Sequence, residues 1–253
     1  MKKGKFKSIG VVGAGNMGAA IAQHFCMKDC TVYLVDRTDA DVDRGLQRIR
    51  SSLDEAREKK VLSPDAAAAA LARVHPGRME SLGECHLVVE AVFEDLAVKK
   101  SLLAALEPHL SRDCIVATNT SSFQVSDLAS SLKHPERLVG IHYFYHAAKN
   151  KLVELIPGSV TPDRIISELQ TFYQAIDKIP IRVKDAPGFA VNRFFVPWLN
   201  EATRLLEEGL GTIPDIDRIA CDVFGIGMGP FALMNATGVP IAEHAASGLA
   251  SRL

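Results

Sequence analysis

The chain carries almost no excess charge of either sign. Its 253 residues hold 29 Lys and Arg against 30 Asp and Glu. That balance offers no electrostatic footprint for nucleic acid or for an anionic membrane. No apolar run reaches the length of a membrane span. Cysteines are few and odd in number: Cys26, Cys30, Cys85, Cys114 and Cys221, without C-x-x-C spacing and mostly in apolar segments. This pattern fits reduced thiols in a cytosolic protein, not a disulfide framework. The start, MKKGKFKSIGVVG, is basic and then apolar, but it breaks at once into glycines and has no small-residue cleavage site. It reads as a basic tail leading into a strand, not as a signal peptide. There is no internal repeat, and the alanine-rich stretch at 66–70 is the one low-complexity feature.

What is present is the balance of a globular protein, with 47% apolar and 23% charged residues. Short β-branched runs at 8–12, 31–35, 86–91, 115–117, 138–141, 152–155 and 179–183 read as strands. Between them lie helical patterns at 16–28, 39–60, from Pro64 onward, and at 96–110. This alternation predicts an α/β fold, a doubly wound, mostly parallel sheet with helices on both faces. After Asp185 the character changes. Ala186-Pro187-Gly188 is a turn signal, followed by helical stretches at 189–208, 215–224 and from Pro230 on. Pro197 should kink the first of these. The expected division is 1–186 for the sheet domain and 187–253 for a small all-helical domain, which needs a neighbour or a second subunit to complete its core.

Gly13-Ala14-Gly15-Asn16-Met17-Gly18 matches G-x-G-x-x-G. Alone the pattern is weak, since glycines also mark ordinary turns in strand–helix units. Here it follows an apolar strand and opens a helix. A second strand then leads to Asp36, 18 residues beyond Gly18. That context is the Rossmann dinucleotide fingerprint. Gly13 allows the tight turn, Gly15 lets the backbone approach a pyrophosphate, and Gly18 lets helix and strand pack closely. Asp36 suits ribose hydroxyls and should repel a 2′-phosphate, which favours NAD over NADP, although Arg37 beside it could meet that phosphate.

GIHYFYHAAKNKLVELI, residues 140–156, sets His142 among apolar residues and Glu154 twelve positions later in a second apolar run. Two readings are open on this stretch alone. In one, His142 bonds core backbone and Glu154 turns to solvent by strand alternation. In the other, adjacent strands joined by a turn at 147–151 bring the two face to face as an acid–base pair. A carboxylate flanked by Leu152, Val153, Leu155 and Ile156 is costly without a partner. Imidazole, with an ordinary pKa near neutral, suits removal of a hydroxyl proton as hydride leaves the same carbon. A carboxylate on its other nitrogen would fix the tautomer and stabilise the cation. The other histidines show no ligand spacing, and no metal site is expected.

GAGNMGAAIAQ, VVEAVFEDLAVKK, TNTSS, GIHYFYHAAKNKLVELI, KDAPGFAVNRF and GMGPFAL occur in that order. Together they resemble the (S)-3-hydroxyacyl-CoA dehydrogenases, which oxidise the 3-hydroxyl of a fatty acyl-CoA with NAD. The resemblance runs from about residue 7 to the C-terminus. It implies a Rossmann domain followed by a helical domain that carries a homodimer interface. It also implies that His142 is the catalytic histidine and Glu154 its acid partner. Ser121 matches a serine that bonds the substrate oxygen, and Asn192 an asparagine beside the same site. Glu94 and Lys99 fall on positions near the nicotinamide half of the cofactor. Ser52 and Lys59 resemble positions that meet coenzyme A. Plainer roles stay open for two of these: Ser121 or Ser122 as a cap for a helix near Val125, and Asn192 as a first-turn helical residue.

The chain departs from the family in two places. The family usually reads His-Phe-Phe-Asn-Pro where this chain has His142-Tyr143-Phe144-Tyr145-His146. This implies an acyl pocket or substrate orientation unlike the usual one. The chain also ends soon after GMGPFAL, which implies a piece of a longer polypeptide, and some relatives fuse this unit to an enoyl-CoA hydratase domain. Two further functions stay open: a dehydrogenase of short 3-hydroxy acids without coenzyme A, and a non-catalytic NAD-binding module. The first relies on a helical lysine motif not seen here.

Overall fold

The computed structural model describes residues 6–250; 1–5, in the basic tail, and 251–253 lie outside the described residues. The chain forms two compact units, one ending at Asp185 and one beginning at Ala186. The first contains β1 (Ser8–Val12), α1 (Asn16–Met27), β2 (Thr31–Val35), α2 (Asp39–Glu58), α3 (Pro64–Leu71), β3 (Val74–Pro76), β4 (Leu87–Glu90), α4 (Leu96–Leu106), β5 (Ile115–Thr118), α5 (Val125–Ala129), β6 (Leu138–Tyr143), β7 (Leu152–Pro157), α6 (Asp163–Ala175) and β8 (Ile179–Arg182). One eight-stranded sheet has the order β3-β2-β1-β4-β5-β6-β7-β8. Neighbours from β3 through to β6 are parallel. β7 runs antiparallel to β6, and β8 parallel to β7.

The central strands β4, β5 and β6 are buried along their whole length, which is why they read as unbroken apolar runs. The helices cover them through one face each. α2 buries Val42, Gly45, Ile49 and Leu53 and leaves its charged residues outward. Its start is set by Thr38, whose side chain accepts the Asp41 N–H at 3.1 Å. α3 starts with Ser63 as cap and Pro64 in its first turn, where a missing N–H costs nothing.

The alternation read from the sequence omits β3 and α6, and it leaves α5 as a helix near Val125 without bounds. β3 is three residues long and ends on Pro76, which the sheet edge tolerates. α6 buries Ile165, Ile166, Leu169, Phe172 and Tyr173, a helical spacing. α5 is capped from a distance. The Asp185 carboxylate accepts the N–H groups of Val125 (2.8 Å) and Ser126 (2.9 Å). Neither Ser121 nor Ser122 is its cap, a correction to the plainer sequence reading, because Gln124 occupies that position.

The second unit holds α7 (Val191–Glu207), α8 (Ile213–Phe224), α9 (Pro230–Thr237) and α10 (Val239–Ala250). α7 continues through Pro197 as one helix. α8 stops at Gly225, which adopts the left-handed conformation at φ 66°. Gly238, at φ 103°, separates α9 from α10. The buried apolar residues are few: Val196, Ala202, Ile216, Ala220 and Leu249 among them. Phe194, Ile219, Val223 and Phe224 stay exposed, Phe194 at 78%. Among the described residues no helix is long and apolar enough to cross a membrane.

The glycines of the first turn separate packing from access. A methyl on Gly18 would stand 1.7 Å from the Gly13 carbonyl oxygen, whereas one on Gly15 meets nothing within 4 Å. Gly18→Ala is expected to cost about 1–3 kcal/mol of urea-measured stability, since backbone cannot yield. Gly15→Ala should cost less than about 1 kcal/mol. Equal losses would contradict this division.

Candidate active site

The site lies along the carboxyl ends of β1, β4, β5 and β6, where an open parallel sheet places its ligands. At β1 the chain leaves Val12, turns at Gly13 (φ 104°) and enters α1 behind Gly15. A methyl on Gly13 would stand 2.5 Å from the Ala91 carbonyl oxygen, so the turn is pressed against the neighbouring strand's exit. α1 has no side-chain cap. Its first N–H groups and the helix dipole therefore face the open space over Gly15, the arrangement that receives a phosphate. Asp36 follows β2 directly. Its Oδ2 accepts the Ala14 N–H at 2.6 Å and its Oδ1 the Arg37 N–H at 2.7 Å. The carboxylate thus ties the end of β2 to the glycine loop. The turn, the open Gly15 and the anchored acid fit a dinucleotide.

A buried charge network stands beside it. Glu90, at the end of β4, is 0% exposed and lies opposite Thr118 in the β4–β5 register. Its Oε1 accepts the Val92 N–H (2.8 Å) and the Lys99 ammonium (2.7 Å), and its Oε2 accepts the Thr118 hydroxyl (2.6 Å). Lys99, in the first turn of α4, also lies 3.2 Å from Glu94. Glu94 Oε1 accepts the N–H groups of Ser121 (2.9 Å) and Ser122 (3.0 Å) and the Thr120 hydroxyl. Glu94 and Lys99 are therefore structural partners of the serine loop, whatever else they contact. Asn119 links that loop onward. Its N–H donates to the Glu90 carbonyl (2.8 Å), and its Oδ1 accepts the N–H of Tyr143 (3.0 Å), next to His142. Glu90, Thr118, Asn119 and Thr120 are not among the residues picked from the sequence. The available signal was a lone acid, Glu90, closing the apolar run LVV.

His142 and Glu154 are directly opposite in the antiparallel β6–β7 register. His142 Nδ1 and Glu154 Oε2 are 2.7 Å apart, with His142 6% and Glu154 0% exposed. A carboxylate can only accept, which puts the ring proton on Nδ1 and makes Nε2 the nitrogen able to take one. The Phe144 ring, just past the end of β6, lies 4.5 Å from the imidazole, centroid to centroid. Tyr143 points to the opposite face, where its hydroxyl bonds that of Tyr173.

Past β6 the chain turns back over α1 and α2. Asn16, Gln23, Arg48, Ser52, Tyr145 and His146 line a cleft of about 220 Å³ between them. Burial, and then Lys149, pull the His146 imidazole below the usual histidine range. Ser52 lines this cleft. Lys59 stands two turns further along, exposed, with its ammonium 2.5 Å from Glu55 Oε1. The same Glu55 oxygen lies 3.7 Å from Lys149. Asn192 sits in the first turn of α7, in the other unit. Among the described residues no group of three or more His, Cys, Asp or Glu is placed to hold a metal.

Residues 8–186 match the model of the 3-hydroxyacyl-CoA dehydrogenase NAD binding domain, and residues 188–253 that of the C-terminal domain. The fatty acid oxidation complex subunit alpha of Vibrio cholerae is 36% identical over 236 residues. That match covers 92% of this chain, which spans 33% of the relative's length. Among solved structures, (S)-3-hydroxybutyryl-CoA dehydrogenase from Ralstonia eutropha superposes with a TM-score of 0.90 at 33% identity, over 98% of this chain and 88% of that one. The 3-hydroxybutyryl-CoA dehydrogenase of Escherichia coli gives 0.89 at 31% identity, over 97% and 52%. With both domains matched in order, the chain belongs to the 3-hydroxyacyl-CoA dehydrogenase family.

Proposed function

We propose that this protein catalyses the reversible, NAD-dependent oxidation of (S)-3-hydroxyacyl-CoA thioesters to 3-ketoacyl-CoA. The observation that carries this is the buried 2.7 Å contact between His142 and Glu154, in a chain of that dehydrogenase family. NAD, when bound, supplies the hydride acceptor. Glu154 holds the imidazole through Nδ1, and His142 Nε2 takes the proton of the 3-hydroxyl as hydride leaves C3. The carboxylate then stabilises the imidazolium. In the reverse direction His142 returns the proton to the ketone oxygen. Ser121 and Asn192 hold that oxygen; support for both comes from their match to family motifs. Glu94, by fixing the N–H of Ser121, sets where its hydroxyl stands.

The glycine loop (Gly13, Gly15, Asn16, Met17 and Gly18) carries the pyrophosphate, with Glu94 and Lys99 beside the nicotinamide half. Asp36 receives the adenosine ribose and disfavours a 2′-phosphate. Ser52 and Lys59 meet coenzyme A. Support is the cleft that Ser52 lines and the cations Lys59 and Lys149 gathered at Glu55, suited to phosphate. Residues 187–253 form the dimerisation and substrate domain of a homodimer. In support, this unit leaves Phe194 of α7 and Ile219, Val223 and Phe224 of α8 exposed. An odd number of cysteines without C-x-x-C spacing suits a reducing compartment, and the location proposed is the cytoplasm.

Two outcomes are expected. NADH oxidation with acetoacetyl-CoA proceeds in the wild type, and kcat falls roughly 10²–10⁴-fold in His142→Gln. NADPH and free acetoacetate support little turnover. Bound NADH without turnover in the wild type would leave only an NAD-binding module. Separately, sedimentation velocity at micromolar protein should give a dimer boundary; a monomer throughout would remove the homodimer.

A further inference from the structure

Lys178 is 4% exposed and stands immediately before β8. Asp177 turns the chain into it from α6, at φ 63°, a left-handed conformation that aspartate tolerates. Among the described residues no carboxylate pairs with this ammonium. Its acceptors are two backbone carbonyls, those of Ala147 and Asn150, the latter at 2.5 Å. Both belong to the turn that joins β6 to β7. The N–H groups of Lys149 and Asn150 both donate to the His146 carbonyl at 2.8 Å, so this segment is a single helical turn. The ammonium sits at the carbonyl end of that turn, where a cation is favoured. It also lies 5.8 Å from the centroid of Tyr143, within cation–π range.

These contacts reach the site without touching it. Tyr143 follows His142, and its side chain is fixed on the far face of β6 by Lys178 and Tyr173. The turn carries Tyr145 and His146 into the cleft and sets how β7 returns with Glu154 opposite His142. The Ile179 N–H donates to the Lys151 carbonyl at 2.8 Å, so side chain and backbone of adjacent residues hold the turn at Ala147, Asn150 and Lys151.

We propose that Lys178 is a positioning residue for the acid–base pair and the cleft wall, holding the 144–151 turn through the Ala147 and Asn150 carbonyls. This rests on the dehydrogenase function proposed above. The surroundings agree with a cation held by neutral groups. Burial, helped by Lys28, pulls the Lys178 ammonium down to about 8. His24 on α1 faces it with Nε2 buried and without a hydrogen-bond partner. Burial first and Lys178 second bring that imidazole down to about 3, so it stays neutral. Asp177 is engaged by Lys28. Burial pushes the hydroxyls of Tyr143 and Tyr173 up, so neither supplies a counter-charge near neutral pH.

The test is Lys178→Met, read by amide hydrogen exchange and by kinetics with NADH and acetoacetyl-CoA. Exchange at Lys149 and Asn150 should quicken while the core strands stay protected. The kcat should fall about 10–100-fold, as for a small misplacement of reacting groups. NADH affinity should stay within about twofold, because the glycine loop is untouched. Unchanged exchange, or faster exchange with full kcat, would overturn the proposal. If the Met variant does not fold, Lys178→Gln, which keeps a neutral N–H donor group, is read in the same way. Failure of both to fold would assign the lysine to the fold instead and also overturn it. If the wild type shows no turnover, the dehydrogenase function fails, and exchange alone decides the role of Lys178.

Discussion

One imidazole–carboxylate contact, closed across the antiparallel β6–β7 pair, organises the site. Glu154 is fully buried, and a buried carboxylate without a partner is expensive. Its direct cross-strand neighbour His142 accompanies it, so the register His142↔Glu154 and the length of the turn are tied together. The one antiparallel step in the sheet serves this purpose. A parallel neighbour would need a crossover of a dozen residues or more, and residues only twelve apart could not then face each other.

The second buried charge group works by the same rule on the parallel side. Lys99 donates to Glu90 and pairs with Glu94, and the two carboxylates accept the Thr118 and Thr120 hydroxyls and the N–H groups of Ser121 and Ser122. Breaking such a group from one side leaves an uncompensated charge, whereas the complete group is close to neutral for stability. Its contribution is geometric: it fixes the serine loop, and Asn119 joins that loop to the strand bearing His142. The two groups thus share one backbone connection.

Much of this was legible in the residues themselves. β1, α1 and β2 were clear because glycines, an apolar strand and a terminal acid occur at a fixed spacing. The His142–Glu154 contact was one of two readings of its stretch, and the dinucleotide fingerprint with the family motifs, not the stretch itself, favoured it. The elements missed had weaker marks. β3 is three residues with a proline, and the cap of α5 was missed because Asp185, which supplies it, lies sixty residues away in sequence. α6 carried a helical apolar spacing that strand alternation on either side obscured. Glu90 closes its strand, where an acid passes for an ordinary boundary. Lys178 was illegible, since its meaning lies in two backbone carbonyls that no sequence pattern encodes. Tyr145 and His146 stood out as departures, and they line the cleft with Ser52.

The most direct measurement is ring-nitrogen NMR of His142 in the wild type and in Glu154→Gln. The account predicts the Nδ1–H tautomer in the wild type, because the Glu154 carboxylate can only accept, and loss of that preference in the variant. An Nε2–H tautomer in the wild type, or identical spectra in the two proteins, would contradict it.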